Sequence, residues 1–257
     1  MEIKKLLYAT DIEKPDFADL ERLLVLRKMG LEEVLFIHPS GDEDWEKRLA
    51  DHGLKSKALV NEGPLLSKIL DTARQEDISV LAVSLKKKTK GILSGSLIKN
   101  LLRSSPVPVI VMNKDAQMSE DTEKGIFHHV TFATDWSPGS EAVLKVLLNF
   151  KEITEMLEIV NVINRKFSVR DMRNLKKKLV ETRKIFLDQG IDAEAHVYAG
   201  KPADEIILAA EDYKATCIIM GTSKKSLFEE LFSRSCSYGV AEEAAVPTLF
   251  IPSLKGE

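Results

Sequence analysis

Short, mostly apolar runs alternate with amphipathic stretches along the whole chain. Leu6 to Ala9 and Val130 to Ala133 are such runs, the pattern of a parallel strand buried on both faces. Asp135-Trp136-Ser137-Pro138 follows the second run. Ser137 is a good N-cap and Pro138 a good first helical residue, and Val143, Leu144, Leu147 and Leu148 then recur at helical spacing. In the first half Phe17, Leu20, Leu24 and Arg27 predict the matching helix, with Gly30 as its stop. Second strands are predicted at Val34–Ile37 and Leu157–Val162. The next helix is short in the first half, around Trp45 to Ala50. In the second half it is long, from about Ser168 to Gln189, with Leu175, Leu179, Ile185 and Phe186 on its apolar face and Gly190 ending it. Third strands fit Lys57–Val60 and Ala193–Tyr198. Gly63-Pro64 and Gly200-Lys201-Pro202 turn into third helices. Fourth strands fit Val80–Val83 and Cys217–Met220, fourth helices follow, and Val107–Met112 and Val246–Ile251 are fifth strands.

The pattern occurs twice. Leu6-Leu7-Tyr8-Ala9-Thr10-Asp11 returns as Val130-Thr131-Phe132-Ala133-Thr134-Asp135 at an offset of 124. Ile69-Leu70-Asp71-Thr72-Ala73 returns from Ile206 at an offset of 137, and Val107-Pro108-Val109-Ile110 from Val246 at 139. A period this long means two domains rather than a solenoid. They are expected at 1–113 and 126–257, joined by a polar, charged linker at 114–125. Strand-helix alternation argues for a doubly wound α/β domain in each half, a five-stranded parallel sheet with helices on both faces. Ligands of such sheets sit at the carboxyl ends of the strands, where strand order reverses. Thr10-Asp11 and Thr134-Asp135 occupy the end of the first strand in each half.

Composition narrows the class without naming a function. The 257 residues are 44% hydrophobic and 30% charged, as in a globular protein. With 37 basic and 40 acidic residues the net charge is −3, which points neither to nucleic acid nor to an acidic tail. Two cysteines, Cys217 and Cys236, make no disulfide framework, so a reducing compartment is expected. No apolar run approaches the ~20 residues that span a bilayer. Met1-Glu2-Ile3-Lys4-Lys5 leads straight into a strand without the apolar core of a signal peptide, and the expected location is cytoplasmic.

Taken in order, these pieces resemble the universal stress protein family in tandem form. The family pattern is an apolar strand ending in Thr-Asp or Val-Asp before a Ser-containing turn, matched by Ala133-Thr134-Asp135-Trp136-Ser137. A Gly-x-Pro turn before an Ile- and Ala-rich helix is matched from Gly200-Lys201-Pro202 to Ile207, and a strand ending in Met-Gly by Ile218-Ile219-Met220-Gly221. The closing Pro-containing strand is Val246-Pro247-Thr248-Leu249-Phe250-Ile251; Ser104-Ser105-Pro106-Val107-Pro108-Val109 fits the same ending in the first half. The resemblance implies two tandem Rossmann-like domains whose fifth strands meet in an internal pseudo-dimer, with a further homodimer left open.

Nucleotide-binding members of the family resemble one another in a glycine motif: Gly-x-x-Gly, nine residues, then Gly and Ser or Thr. Glycines let backbone N–H groups approach phosphates, and a helix start favours their charge. This chain departs from it. In the second half the glycines fall on Gly221, Lys224 and Arg234, with Ser235 matching. In the first half the leading positions are Ser84 and Lys87, the loop is two residues shorter, and the closing pair is intact as Gly95-Ser96. Lys86, Lys87 and Lys88 crowd one loop, and Lys224, Lys225 and Arg234 mark the other. Such cations contact a phosphate as charges, or are a solvated face of a decayed site.

The resemblance implies nucleotide binding at Thr134, Asp135, Val162, Gly221, Thr222, Lys224, Arg234 and Ser235. Asp135 would lie near base and ribose, Val162 beside the base, and Gly221, Thr222 and Ser235 at the phosphates. A weaker first-domain site would use Thr10, Asp11, Gly95 and Ser96. No Gly-x-x-x-x-Gly-Lys-Ser/Thr is present, which argues against a P-loop enzyme. The five histidines show no zinc-ligand spacing with either cysteine, so no metal site is recognised, and His128-His129 reads as a plain surface pair. Cys217 reads as inert core, and Cys236 as a residue at a helix start. The expected function is an adenine-nucleotide-binding regulatory or stress-response protein, taking AMP or ATP mainly in the second domain. No catalytic residue is expected, with slow nucleotide hydrolysis at most and no nucleic-acid or membrane partner. The alternative is a stress-response interaction module that has lost the nucleotide.

Overall fold

Apolar strands this short gain stability only when helices cover both faces of their sheet, and the chain builds that arrangement twice. A computed structural model describes residues 2–12, 15–38, 43–60, 63–84, 92–112, 125–222 and 236–252. The chain divides into two units, Met1–Gly125 and Ile126–Glu257. Of the expected linker only Gly125 lies among the described residues.

The first unit holds strands β1 (Lys5–Thr10), β2 (Glu33–His38), β3 (Lys55–Val60), β4 (Val80–Ser84) and β5 (Val109–Met112). Its helices are α1 (Phe17–Glu21), α2 (Glu43–Asp51), α3 (Leu65–Gln75) and α4 (Ile92–Ser104). The strand order is β3-β2-β1-β4-β5, all pairs parallel. Leu6, Leu7, Tyr8 and Ala9 of the central strand are wholly buried. Trp45 of α2 packs against Tyr8, Phe17 and Phe36 at ring-centroid distances of 5.4–5.7 Å.

The second unit holds β6 (His129–Ala133), α5 (Pro138–Asn149), β7 (Met156–Ile163), α6 (Val169–Leu187), β8 (Asp192–Ala199), α7 (Pro202–Asp212), β9 (Cys217–Thr222), α8 (Cys236–Glu243) and β10 (Thr248–Pro252). Its order, β10-β9-β6-β7-β8, is again parallel throughout. Each unit is thus a doubly wound α/β domain with five parallel strands. Its order reverses on either side of the first strand, between β1 and β4 and between β6 and β9.

Three expectations changed. The single helix predicted after β1 is a short α1 followed by a 3-10 segment, Leu24–Met29. Phe17, Leu20, Leu23 and Leu26, none more than 2% exposed, recur every third residue, the period of a 3-10 helix, and Leu24 is buried beside them. Leu23 and Leu26 donate their N–H groups three residues back, to Leu20 and Leu23, and Gly30 (φ +98°) ends the segment as expected. The fifth strands begin two residues later than expected, at Val109 and Thr248, because Pro108 and Pro247 have no N–H for the ladder. Their carbonyls still accept from Leu81 N and Ile218 N at 2.9 and 3.0 Å. Strand β9 continues beyond Met220 through Gly221 to Thr222.

Candidate functional site

The end of β6 is fixed by a short set of local hydrogen bonds. Thr134 is buried, and its Oγ1 accepts from Trp136 N at 3.1 Å, closing a turn of the kind threonine hydroxyls support. Asp135 Oδ1 accepts from Ser137 N at 2.9 Å and from Ser140 Oγ at 2.7 Å, and Ser140 Oγ accepts from Asp135 N at 3.3 Å. Ser137 is the N-cap of α5, but its side chain makes no capping bond; Asp135 braces the helix start instead. Partial burial of the carboxyl works against its charge, yet the hydrogen bonds from Ser137 and Ser140 outweigh it and hold the group below its ordinary range. Asp135 therefore stands exposed at the strand end as an ionised acceptor.

Three residues missed in the sequence complete this corner. Asn161, buried in β7, donates Nδ2–H to the Thr134 carbonyl at 2.7 Å. Trp136 takes a left-handed backbone (φ +56°), unusual for a bulky side chain. Its indole N–H bonds Thr182 Oγ1 of α6 at 3.0 Å, and Lys178 Nζ lies 5.1 Å from its ring centroid. Gly139, in the first turn of α5, backs onto Gly221: a Cβ on Gly221 would lie 2.4 Å from the Gly139 carbonyl carbon. The glycine of the Met-Gly strand end is thus required by backbone packing whatever else it serves. The signals were faint but present. Asn161 is a polar residue inside an apolar run, and Gly139 sits next to a helix-starting proline.

Thr222 is half-buried, with Oγ1 donating to the Ile251 carbonyl at 3.4 Å, and Val162 is half-buried on β7 across from Tyr198. Thr134, Asp135, Gly221 and Thr222 are brought to the neighbouring ends of β6 and β9; Val162 lies near the end of β7. Lys224, Arg234 and Ser235 lie outside the described residues, as do Lys86, Lys87 and Lys88.

The first unit repeats the turn and alters what faces it. Thr10 Oγ1 accepts from Ile12 N at 3.1 Å, the counterpart of the Thr134 turn. Asp11 is half-exposed. At the end of β4, where the second unit has Gly221, Ser84 is wholly buried and donates Oγ–H to Asp19 Oδ2 of α1 at 2.9 Å. Gly95 and Ser96 fall within the first turns of α4.

Two of the remaining sequence expectations meet the structure here. Cys217 is fully buried, and burial pushes its thiol well up, as suits inert core. The plain surface role expected of His128-His129 fails for His129, which is 9% exposed and bonded to the buried Glu158. Among the described residues no helix is long and apolar enough to cross a membrane.

Two doubly wound domains, each with a Thr-Asp turn at its strand-order reversal, define a tandem α/β protein. The model of the universal stress protein family matches residues 127–252, and the second unit belongs to that family. A universal stress protein from Archaeoglobus fulgidus DSM 4304 superposes with a TM-score of 0.74 at 21% identity, covering 98% of this chain and 97% of its own. A protein of unknown function from Pseudomonas aeruginosa PAO1 gives 0.70 at 13% identity, covering 98% and 93%. A putative universal stress protein from Pseudomonas aeruginosa UCBPP-PA14 gives 0.68 at 12%, covering 97% and 93%. At these identities the likeness is one of fold, and it extends over both units. No curated protein matches the chain.

Proposed function

We propose that the second unit binds an adenine nucleotide, AMP or ATP, at the carboxyl ends of β6 and β9, and that the protein acts as a cytoplasmic nucleotide-responsive regulator rather than an enzyme. The observation that carries this reading is Asp135, held ionised and exposed at the strand-order reversal by Ser137 and Ser140. A fixed carboxylate there accepts hydrogen bonds from paired hydroxyls or an amine, the groups a nucleoside offers. Thr134, Val162, Gly221 and Thr222 flank it, and Lys224, Arg234 and Ser235 complete the phosphate side in this reading.

The interaction module without nucleotide is favoured for the first unit by one observation: the Ser84–Asp19 bond fills with side chains the place that backbone occupies in the second. Calorimetry with AMP and ATP tests both. Asp135→Ala is expected to weaken binding about ten- to a hundredfold, the worth of a hydrogen bond to a charged group. Asp11→Ala is expected to leave it unchanged. Loss of binding in Asp11→Ala alone would assign the site to the wrong unit.

A further inference from the structure

A second concentration of titratable side chains lies toward the amino ends of the same strands, away from Asp135. Strand register places Thr131 beside Glu158 and Glu158 beside Glu194. Residues two apart in a strand share a face, so His129 and His196 lie on that face as well. Glu158 is 5% exposed, and its carboxylate is bracketed by imidazoles: Oε1 is 2.9 Å from His129 Nε2, and Oε2 is 2.6 Å from His196 Nε2. The other nitrogen of His196, Nδ1, lies 3.0 Å from the hydroxyl of Tyr213, the residue that ends α7, and the two rings stack at 4.2 Å. Glu194 is exposed on β8. The ligand atoms of Glu158, Glu194 and His196 all lie within 4.8 Å of one another.

Two imidazoles satisfy the buried Glu158 carboxylate, and a second carboxylate, the exposed Glu194, lies directly across the strand pair from it, an arrangement that a bound cation would stabilise further. Thr131 Oγ1, also buried and opposite Glu158, has no hydrogen-bond partner. We propose that Glu158, Glu194 and His196 form a divalent transition-metal site, matched best to Zn²⁺. Two carboxylate oxygens and one imidazole nitrogen are a zinc donor set with a fourth position open to water, and an imidazole ligand disfavours Mg²⁺ and Ca²⁺. The surrounding groups act as an outer layer. His129 donates to Oε1 of Glu158, leaving Oε2 for the ion, and is itself anchored through its backbone N–H to Thr216 Oγ1 at 3.0 Å. Tyr213 accommodates the proton change. When neutral His196 donates from Nε2 to Glu158, the Tyr213 hydroxyl donates to Nδ1; when the ion takes Nε2, that proton moves to Nδ1 and the hydroxyl turns to accept it. The His196–Glu158 contact would open to roughly 3.3 Å, the spacing of two ligands on a tetrahedral ion with bonds of about 2.0 Å. Exposed Glu194 gives the ion its way in.

The test is calorimetric titration of the metal-stripped full chain with ZnCl₂, with thermal unfolding in parallel. One Zn²⁺ per chain at micromolar affinity or better is expected, together with a higher melting temperature. Glu194→Gln, a change at an exposed position that leaves folding intact, is expected to weaken binding by at least about tenfold, as is His196→Gln. Glu155→Gln removes the carboxylate beside His128 and is expected to change nothing. X-ray absorption of the zinc form should show only nitrogen and oxygen neighbours. No binding, binding unchanged by Glu194→Gln, or a sulfur neighbour would each overturn the proposal.

Discussion

Gly221 has no room for a side chain, and the obstacle is backbone: the carbonyl carbon and oxygen of Gly139 stand 2.4 and 2.5 Å from where its Cβ would be. Flexible side chains yield to such a clash, but a helix start packed on a strand end does not. Gly221→Ala should cost about 3 kcal/mol, the upper range for overpacking, in urea denaturation. Gly190→Ala meets nothing within 4 Å and should cost only about 1 kcal/mol for its left-handed φ of +84°. Asp135 makes a different prediction. Its folded-state pKa is lowered from 3.8, so the stability it contributes is present above that value and is lost as pH falls through the lowered one. The advantage of the natural chain over Asp135→Asn should be constant from pH 5 to 8 and shrink below about 4 in equilibrium denaturation. Thr134 and Asp135 were legible because an apolar run, a Thr-Asp pair and a Ser-Pro helix start stand in sequence. Glu158 and His129 were not, since their partnership spans 29 residues and only the strand register brings them together.

Among the elements, helix α6 shows how fully a local code can be written. Ser168 Oγ accepts from Asp171 N at 3.1 Å, and Asp171 Oδ2 accepts from Ser168 N at 2.9 Å, a reciprocal cap. Ser168→Ala should destabilise the second unit by about 1 kcal/mol and speed hydrogen exchange in the first turn of α6, leaving α5 and α7 unchanged. The long helix, its start at Ser168 and its stop near Gly190 were all readable from residues close in sequence. The segment after β1 was not read as well. Leu20 and Leu24 suggest a four-residue step, while the most deeply buried set, Phe17, Leu20, Leu23 and Leu26, has a three-residue step, and since Leu24 is buried as well both spacings are written in the same residues. Strand ends behaved likewise: prolines at 108 and 247 moved the ladder's start without moving the strands' place in the sheet.

For the chain as a whole, the duplication made the fold legible, because two copies of one strand order constrain each other. The difference between the copies carries the functional prediction. Addition of AMP should slow amide exchange in β6, β9 and the first turn of α5 and leave β1 and β4 unaffected, as measured by mass spectrometry; protection confined to the first unit would reverse the assignment. One feature of both units also bears on how the protein is made. Each central strand is flanked by a partner encoded far downstream: Leu6 waits for Val80, and Val130 for Cys217. At a synthesis rate of roughly 5–20 residues per second, the apolar edges of β1 and β6 stand open on the ribosome for roughly 4–17 s. Closure of so distant a pair is slow once the chain is complete. During that interval the nascent protein offers two sticky strands to its surroundings, and its yield in a cell should rise with chaperone supply more than with any gain in final stability.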